Sequence, residues 1–459
     1  MPGRVKSIPR YSDTEIFMKR LVCLLAAPLL ASPLWAADLM QVYREAREND
    51  AAYAAARSVL EAGREKTPQA RAGLLPTLSV GANSVWNEND LYLRSGGGTY
   101  NPKFNSNGYT LTLSQPLFRW QNWVAYDQSK FQVAQAEANF VQAGQDLILR
   151  VAQAYFDILY AQENLKAVRA NKASIEQQRE LAKKSFEVGT ATIVDTHESQ
   201  ARFDLAVAQE IAAENELEVK QRALQAILGK EAPPLAPIRP NAEITPPQPA
   251  DIKQWASAAE NDNINVQIQA ATLEIASREV ERQRAGHYPT IDLVANKGSS
   301  TAFASTAAGM LETDFQNVGI QLNLPIFQGG LVNSRTNEAS ANRAAAESTL
   351  EQTKRNAALQ ARQHYLGAVN GLAQVKALKA ALVSSQSSLE SNRLGFEVGV
   401  RINIDVLNAD NQVFLTRRDL ARAVLDTLLS HFRLKAAVGT LSEDDILAAN
   451  ALLDSAATR

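Results

Sequence analysis

Cysteine is nearly absent from this chain of 459 residues, and the one cysteine lies in a leader-like segment. Cys23 follows two basic residues inside an apolar run, and small residues come next, which is the order of a secretory signal. We predict that residues 1–36 are a signal peptide, with Met18 as an alternative start, and that the mature protein has neither disulfide nor thiol chemistry. The basic residues leave no room for the apolar stretch that would precede a lipid anchor on Cys23.

Long apolar runs and a strong charge of either sign are also missing. Outside the predicted leader, no stretch approaches the roughly 20 apolar residues that a membrane-spanning helix needs. The formal net charge is −2 at pH 7, which gives no reason to expect a nucleic-acid partner. A mature chain that crosses a membrane would therefore have to cross it as β-structure.

The chain lacks the motifs that carry catalysis or hold a metal. Its histidines are scattered, and none stands at i, i+4 from another ligand, as the helix of a zinc protease requires. We find neither a glycine loop that cradles phosphate nor a nucleophile elbow. We therefore predict no enzyme activity, no cofactor and no metal site. The histidines are His197, His287, His364 and His431.

What the chain does contain is a duplicated motif. Residues 396–407 read Phe-Glu-Val-Gly-Val-Arg-Ile-Asn-Ile-Asp-Val-Leu, and a related run, Phe-Glu-Val-Gly-Thr-Ala-Thr-Ile-Val-Asp, begins at Phe186. Subtracting 186 from 396 gives an offset of 210 residues. Each copy breaks a long helical pattern at a glycine and is predicted to begin the next helix at an aspartate. The glycines and aspartates are Gly189 and Asp195 in the first copy and Gly399 and Asp405 in the second.

Each repeat opens with a helical stretch, predicted over 38–72 in the first and up to Ala285 in the second. Both stretches stop at a Gly-x-x-Pro sequence, because proline cannot continue a helix. The apolar period then changes from about 3.6 to 2, which indicates β-strands. The predicted strands lie at about 77–86, 109–116, 290–297 and 317–325.

The predicted strands are apolar on one face and polar on the other, as in a barrel with lipid outside and water inside. Each pair encloses a long loop rich in small and polar residues, and long loops on one side are typical of outer-membrane barrels. Aromatic residues crowd the strand ends, as in an interfacial belt. The alternative is that these aromatics fill an ordinary core.

A very long helix follows each strand pair. From about 120 to 186 apolar residues recur every seven positions without a proline, as in a coiled coil. Such a helix would be roughly 100 Å long at 1.5 Å per residue, so it must pack sideways against other helices. The heptad residues are Phe140, Leu147, Ala154, Ala161, Val168, Ile175 and Ala182.

The predicted organisation is a first repeat at 37–232, a proline-rich connector at 233–250 and a second repeat at 251–459. We expect the connector to be a stiff extended segment rather than a core element. The fold class is mainly α, with long coiled-coil helices and four strands. Four strands cannot close a barrel, since known barrels begin at about eight, so two or more copies must share one.

The two aspartates of the duplicated turns allow two compatible interpretations. Asp195 begins the sequence Asp-Thr-His-Glu, a capping-box pattern, and Asp405 is predicted to cap its helix in the same way. The second interpretation is functional: an acidic turn at the end of a helical barrel becomes a ring of carboxylates once several chains assemble around a pore.

The chain closely resembles the TolC family of outer-membrane efflux and secretion channels over essentially its whole mature length. The resemblance lies in the paired Gly-x-x-Pro and Pro-x-Phe sequences that flank the strands, the Phe-x-Val-Gly…Asp-Val-Leu turn, and the tail Ala-Val-Gly-Thr-Leu-Ser-Glu-Asp-Asp. It implies a homotrimer in outer-membrane lipid, with a twelve-stranded β-barrel continuous with a periplasmic α-helical barrel. An equatorial belt would include the connector and the C-terminal segment.

The resemblance also implies a function and partners. The trimer would be an exit duct of a Gram-negative cell for drugs, small toxic molecules or type I secreted proteins, gated at its periplasmic end. It would dock onto a periplasmic adaptor protein and an inner-membrane transporter of the ABC, RND or MFS type, which supplies the energy.

The same resemblance implies gate residues. Asp405 matches an aspartate of a cation-selective constriction, whereas Asn408 stands where the family has a second one, so the acidic ring should be thinner here. The tethers that close the gate would join Asp195 to an arginine and a tyrosine of the second repeat. Arg401 matches the arginine, but Phe396 stands at the tyrosine position and has no hydroxyl. The closed state should then depend more on an ion pair between Arg401 and Asp195.

Two alternatives stay open from the residues. A non-channel coiled-coil protein of the periplasm, either a scaffold or an adaptor, would need no membrane strands. A dedicated exporter of metals or small drugs within the same superfamily would need the same fold, although no metal-ligand cluster marks the predicted bore. The sequence does not identify the cargo or the transporter.

Overall fold

A computed structural model describes residues 36–92, 98–239, 243–305 and 308–454. Apart from Ala36, the predicted signal peptide lies outside these residues. The described part is mainly helical with a small sheet, which confirms the predicted fold class at that level. None of its helices is both long enough and apolar enough to cross a membrane.

The two repeats share the order of shorter helices, a pair of long strands, a very long helix and a further helix, but the first adds two short strands and the second adds a C-terminal helix. The first consists of α1 (Leu39–Asn49), α2 (Ala51–Arg64), α3 (Lys66–Ala72), β1 (Thr77–Glu88), β2 (Leu91–Tyr92), β3 (Thr99–Tyr100), β4 (Lys103–Phe118), α4 (Trp120–Glu187) and α5 (Ile193–Leu228). The second consists of α6 (Ile252–Asp262), α7 (Ile264–Arg284), a short 3₁₀ turn (Ala285–His287), β5 (Thr290–Ser305), β6 (Gly309–Asn323), α8 (Leu331–Glu397), α9 (Asn403–Ala437) and α10 (Glu443–Asn450).

The long helices α4 and α8 contain 68 and 67 residues, so each is about 100 Å long. The predicted heptad of α4 largely coincides with the buried stripe of this helix. Phe140 and Ala154 are half-buried, and the other heptad residues are buried: Leu147, Ala161, Val168, Ile175 and Ala182. The stripe packs on α5 and α9, so a rod of this length is stabilised by its neighbours rather than by itself.

The helical stretch predicted over 38–72 is not continuous; it divides into three helices. Asp50 interrupts it, because one carboxylate oxygen accepts a hydrogen bond from the Tyr53 backbone N–H at 2.7 Å and caps α2. The same carboxylate is buried and binds Arg150 of α4 through two bonds of 2.8 and 3.0 Å. In the second repeat Asn263 caps α7 and divides the predicted stretch in the same way.

The sheet joins the two repeats. Its antiparallel order is β1-β4-β5-β6, with β1 and β6 at the edges and the β4–β5 pair linking the repeats at its centre. The strands are longer than the apolar alternation predicted, because polar residues near the loops continue the pairing of each hairpin.

One face of the sheet is apolar and exposed, and the other is polar. Val80 pairs with Leu111 on the apolar face, and Val318 of the edge strand β6, which lies on the same face, is 74% exposed. The polar face includes a row across all four strands: Ser79, Thr112, Asn296 and Asn317 stand in register. Within it, hydrogen bonds of 2.8 and 3.0 Å join Thr112 to Asn296 and Asn296 to Asn317.

A bidentate ion pair fixes the junction between the sheet and the helices. Arg119, just before α4, donates to both carboxylate oxygens of Asp292 on β5 at 2.8 and 2.6 Å. Because the Asp292 side chain is only 10% exposed, this pair ties the start of the first long helix to the sheet strand of the other repeat.

The main apolar core lies at the middle of the long helices. Tyr155 of α4 is fully buried there, and its hydroxyl donates to the carbonyl oxygens of Ala37 and Ala236 at 3.2 and 2.9 Å. Ala236 belongs to the proline-rich connector, and so does Leu235, which forms a bridge with Ala37. The prediction that the connector is not a core element is therefore wrong for this part, since both of these residues are buried in the core.

Candidate functional site at the paired turns

The two duplicated turns have the same backbone geometry. Gly189 and Gly399 adopt left-handed φ angles of +77° and +78°, which favour glycine. The N–H of each glycine donates to the carbonyl oxygen of the phenylalanine three residues earlier, Phe186 or Phe396, at 3.0 Å. Each turn therefore reverses the chain identically, and residues at the offset of 210 occupy equivalent positions.

Asp195 lies in the first turn of α5, but it is not the capping residue. The cap is Thr192, whose hydroxyl accepts from the Asp195 backbone N–H at 3.3 Å while the Asp195 carboxylate accepts from the Thr192 backbone N–H at 2.9 Å. The predicted capping box, with Asp195 as N-cap and Glu198 at position N3, is therefore wrong: the N-cap lies three residues earlier, at Thr192. Because the helix already begins at Ile193, Asp195 occupies position N3 of the capping box.

Asp405 occupies the equivalent position in α9, and it does not cap the helix either. The residue before α9 is Ile402, whose side chain has no oxygen to accept a hydrogen bond. The Asp405 carboxylate instead lies 3.7 Å from Nη1 of Arg401. In the described part of this single chain, Arg401 lies within ion-pair distance of Asp405 and not of Asp195.

Asn408 connects the two repeats. Its side-chain oxygen accepts a hydrogen bond from Nη2 of Arg202 on α5 at 3.1 Å. Arg202 was not identified from the sequence. Its spacing four residues after Glu198 indicates only a pair within one helix, at 3.6 Å, whereas the bond to Asn408 depends on how α5 packs against α9.

The turns also present apolar side chains to solvent. Val188 and Val194 of the first turn are 75% and 65% exposed, and Val398 and Val400 of the second are 65% and 76% exposed. Each of the two turns thus exposes two valines at equivalent or neighbouring positions of the repeat.

The arrangement holds charges and apolar groups in place. Asp195 and Asp405 put one carboxylate at equivalent positions of the two turns, each in the first turn of a helix. Such carboxylates can attract cations and form ion pairs with neighbouring helices.

Comparison with known proteins agrees with this architecture. The family model described as "Outer membrane efflux protein" matches residues 42–230 and 255–440. The chain belongs to this family, whose members are outer-membrane channels and not enzymes. The chain is therefore an outer-membrane protein whose helical part extends into the periplasm.

Relatives and solved structures support the assignment along most of the chain. The chain is 32% identical to outer membrane protein TolC of Vibrio cholerae over 440 residues, which cover 95% of this chain and 98% of the relative. It is 32% identical to alkaline protease secretion protein AprF of Pseudomonas aeruginosa over 423 residues, covering 91% and 88%. The crystal structure of the Campylobacter jejuni CmeC outer membrane channel shares the fold with a TM-score of 0.77 at 17% identity, covering 91% of this chain and 90% of that one.

Proposed function

We propose that three copies of this chain form one outer-membrane exit duct. The observation that carries the proposal is the sheet: four strands with an exposed apolar face and β1 and β6 at its edges. An exposed apolar face is unfavourable in water and favourable in lipid, and four strands are too few to close a barrel. If β6 of one copy pairs with β1 of the next, the backbone groups of both edge strands form hydrogen bonds, and three copies make a twelve-stranded barrel.

The long helices of three copies would continue this barrel into the periplasm, with the paired turns at the far end. There Asp405 of each copy would contribute to a ring of carboxylates that prefers cations. Asn408 places no charge in that ring. We propose that Asp195, Arg401 and Phe396 belong to the contacts that hold this end closed, with Arg401 exchanging Asp405 for Asp195 as its partner.

We propose that the duct serves a pump or secretion system rather than choosing its cargo. Relatives are named both for protease secretion and for efflux, so drugs, small toxic molecules and type I secreted proteins are the candidate cargoes. The four exposed valines of the turns suit an adaptor protein that links the duct to an ABC, RND or MFS transporter in the inner membrane.

Two measurements on the purified protein test the proposal: its molecular mass in detergent and its channel conductance in a planar bilayer. The protein extracted from outer membranes in detergent should have the mass of three chains and should form cation-preferring channels in a planar bilayer. A water-extractable monomer without conductance would contradict the proposal and would favour a coiled-coil scaffold or adaptor.

A further inference from the structure

A polar cluster interrupts the apolar contact between the repeats, next to the paired turns. Ser174 of α4, Arg393 of α8 and Asp410 of α9 meet there. Nη2 of Arg393 donates to Oγ of Ser174 at 3.2 Å and lies 3.4 Å from Oδ1 of Asp410. The cluster lines a cavity of about 450 Å³ between the three helices.

Asp410 is placed where an apolar residue would pack. Leu407, three residues before it, and Phe414, four residues after it, are both buried against first-repeat helices. Residues at these spacings share one helix face. The Asp410 side chain is correspondingly only 12% exposed.

The carboxylate of Asp410 is incompletely paired in this arrangement. Its second oxygen, Oδ2, is buried and has no protein partner, and the same holds for the side-chain oxygen of Asn171 on α4, which lines the same cavity. Arg393, which pairs with Asp410, has a side chain that is 47% exposed, so water screens the attraction. A buried carboxylate with one free oxygen costs free energy while the helices stay in contact.

We propose that Asp410 biases the contact between α4 and α9 toward separation, so that the second-repeat helices can move away from the first repeat. When α9 moves, water reaches the carboxylate and its desolvation cost disappears, whereas the flanking apolar contacts at Leu407 and Phe414 oppose the movement. Asp410 is therefore a positioning residue of the gate, and its role rests on the proposed gated duct.

The protonation equilibrium of Asp410 agrees with this role. Burial raises the pKa of the Asp410 carboxyl, against the opposing effects of Ser174 and Arg393. A raised pKa means that the contact is strengthened as pH falls and weakened as pH rises through that pKa. The other charged groups that line the cavity are Glu390 on α8 and Arg417 on α9, while α4 contributes only uncharged groups.

The substitution Asp410→Asn tests the inference, because it keeps the shape and removes the charge. Single-channel recordings should show an open probability lower by at least about fivefold, which corresponds to about 1 kcal/mol. The melting temperature of the purified trimer should rise. Asp419→Asn is the matched control: Asp419 lies on the same helix but is exposed and paired with Arg418, so both quantities should stay unchanged.

A pH series on the unaltered protein provides a second test. Lowering the pH should reduce its open probability, and Asp410→Asn should lose most of this dependence. An unchanged or higher open probability in Asp410→Asn would overturn the inference and would show that the ion pair with Arg393 holds the contact closed. If the unaltered protein does not conduct, the proposed duct fails, and the melting temperatures of the two variants still decide the role of Asp410.

Discussion

The centre of the sheet gives a sharp prediction, because a glycine on β5 leaves no room for a side chain. Gly298 stands opposite Thr110 of β4. A Cβ added at Gly298 would overlap the carbonyl oxygen of Tyr109 and would lie 2.9 Å from Cζ of Phe315. The first obstacle is backbone, which can move only if the β4–β5 pairing opens.

The cost of Gly298→Ala follows from these contacts. Overpacking a site that cannot relax costs about 1–3 kcal/mol, and loosening the neighbouring ladder hydrogen bonds adds about 1 kcal/mol for each bond weakened. We expect a loss of about 3 kcal/mol per chain. Since β4–β5 is the pair that links the repeats, the loss should affect both of them.

The assay is the temperature at which the proposed trimer, extracted in detergent, dissociates on a gel, together with the yield of the protein in outer membranes. Both should fall for Gly298→Ala. Gly319→Ala on β6 is the control, because a Cβ there meets no atom within 4 Å. If Gly298→Ala and Gly319→Ala dissociate at the same temperature, the close β4–β5 pairing around Gly298 is wrong.

Three further predictions concern charged side chains. Asp405→Ala should weaken cation preference in single-channel recordings, and unchanged selectivity would remove Asp405 from the constriction. Arg401→Ser should raise the open probability by up to about fivefold, because an exposed ion pair contributes at most about 1 kcal/mol of free energy. A variant that stays tightly closed would argue against a closing ion pair at Arg401. Asp50→Asn should cost about 2–3 kcal/mol in thermal unfolding, since the cap and the Arg150 pair are both weakened. The bonds from Arg150 lower the pKa of Asp50, so its contribution is complete above its unfolded pKa and is lost as pH falls through the lowered value.

Regular patterns made the mainly α fold predictable from the sequence. The duplicated turns, the proline at each strand start and the change of period identified the turns and the approximate strand positions. The heptad identified the buried stripe of α4. These features depend on local backbone preferences, so they do not require knowledge of the packing.

The remaining features depend on packing or on competition between similar signals. Thr192 and Asp195 both fit a capping pattern, and the geometry of the preceding turn decides in favour of Thr192. The prolines of the connector argue against secondary structure, but they do not prevent Leu235 and Ala236 from being buried. Likewise, the burial of Asp410 becomes visible only when α4 and α9 are placed together.

The most direct test of the trimeric duct is to cross-link the edge strand β6 of one copy to the edge strand β1 of another. The sole cysteine, Cys23, lies in the predicted leader, so cysteines can be introduced freely: Asn317→Cys on β6 combined in turn with Thr77→Cys, Ser79→Cys or Asn83→Cys on β1. Three strand positions separate β1 from β6 within one chain, with β4 and β5 between them. At about 4.8 Å each this is roughly 14 Å, too far for a disulfide, so any bond must join two copies.

Several partners on β1 are needed, because the stagger of a closed barrel sets the register between copies. At least one pair should produce, on a non-reducing gel, a ladder of one, two and three chains that ends at three and collapses on reduction. No cross-link with any of the three pairs, or a ladder that continues beyond three chains, would contradict the trimeric duct.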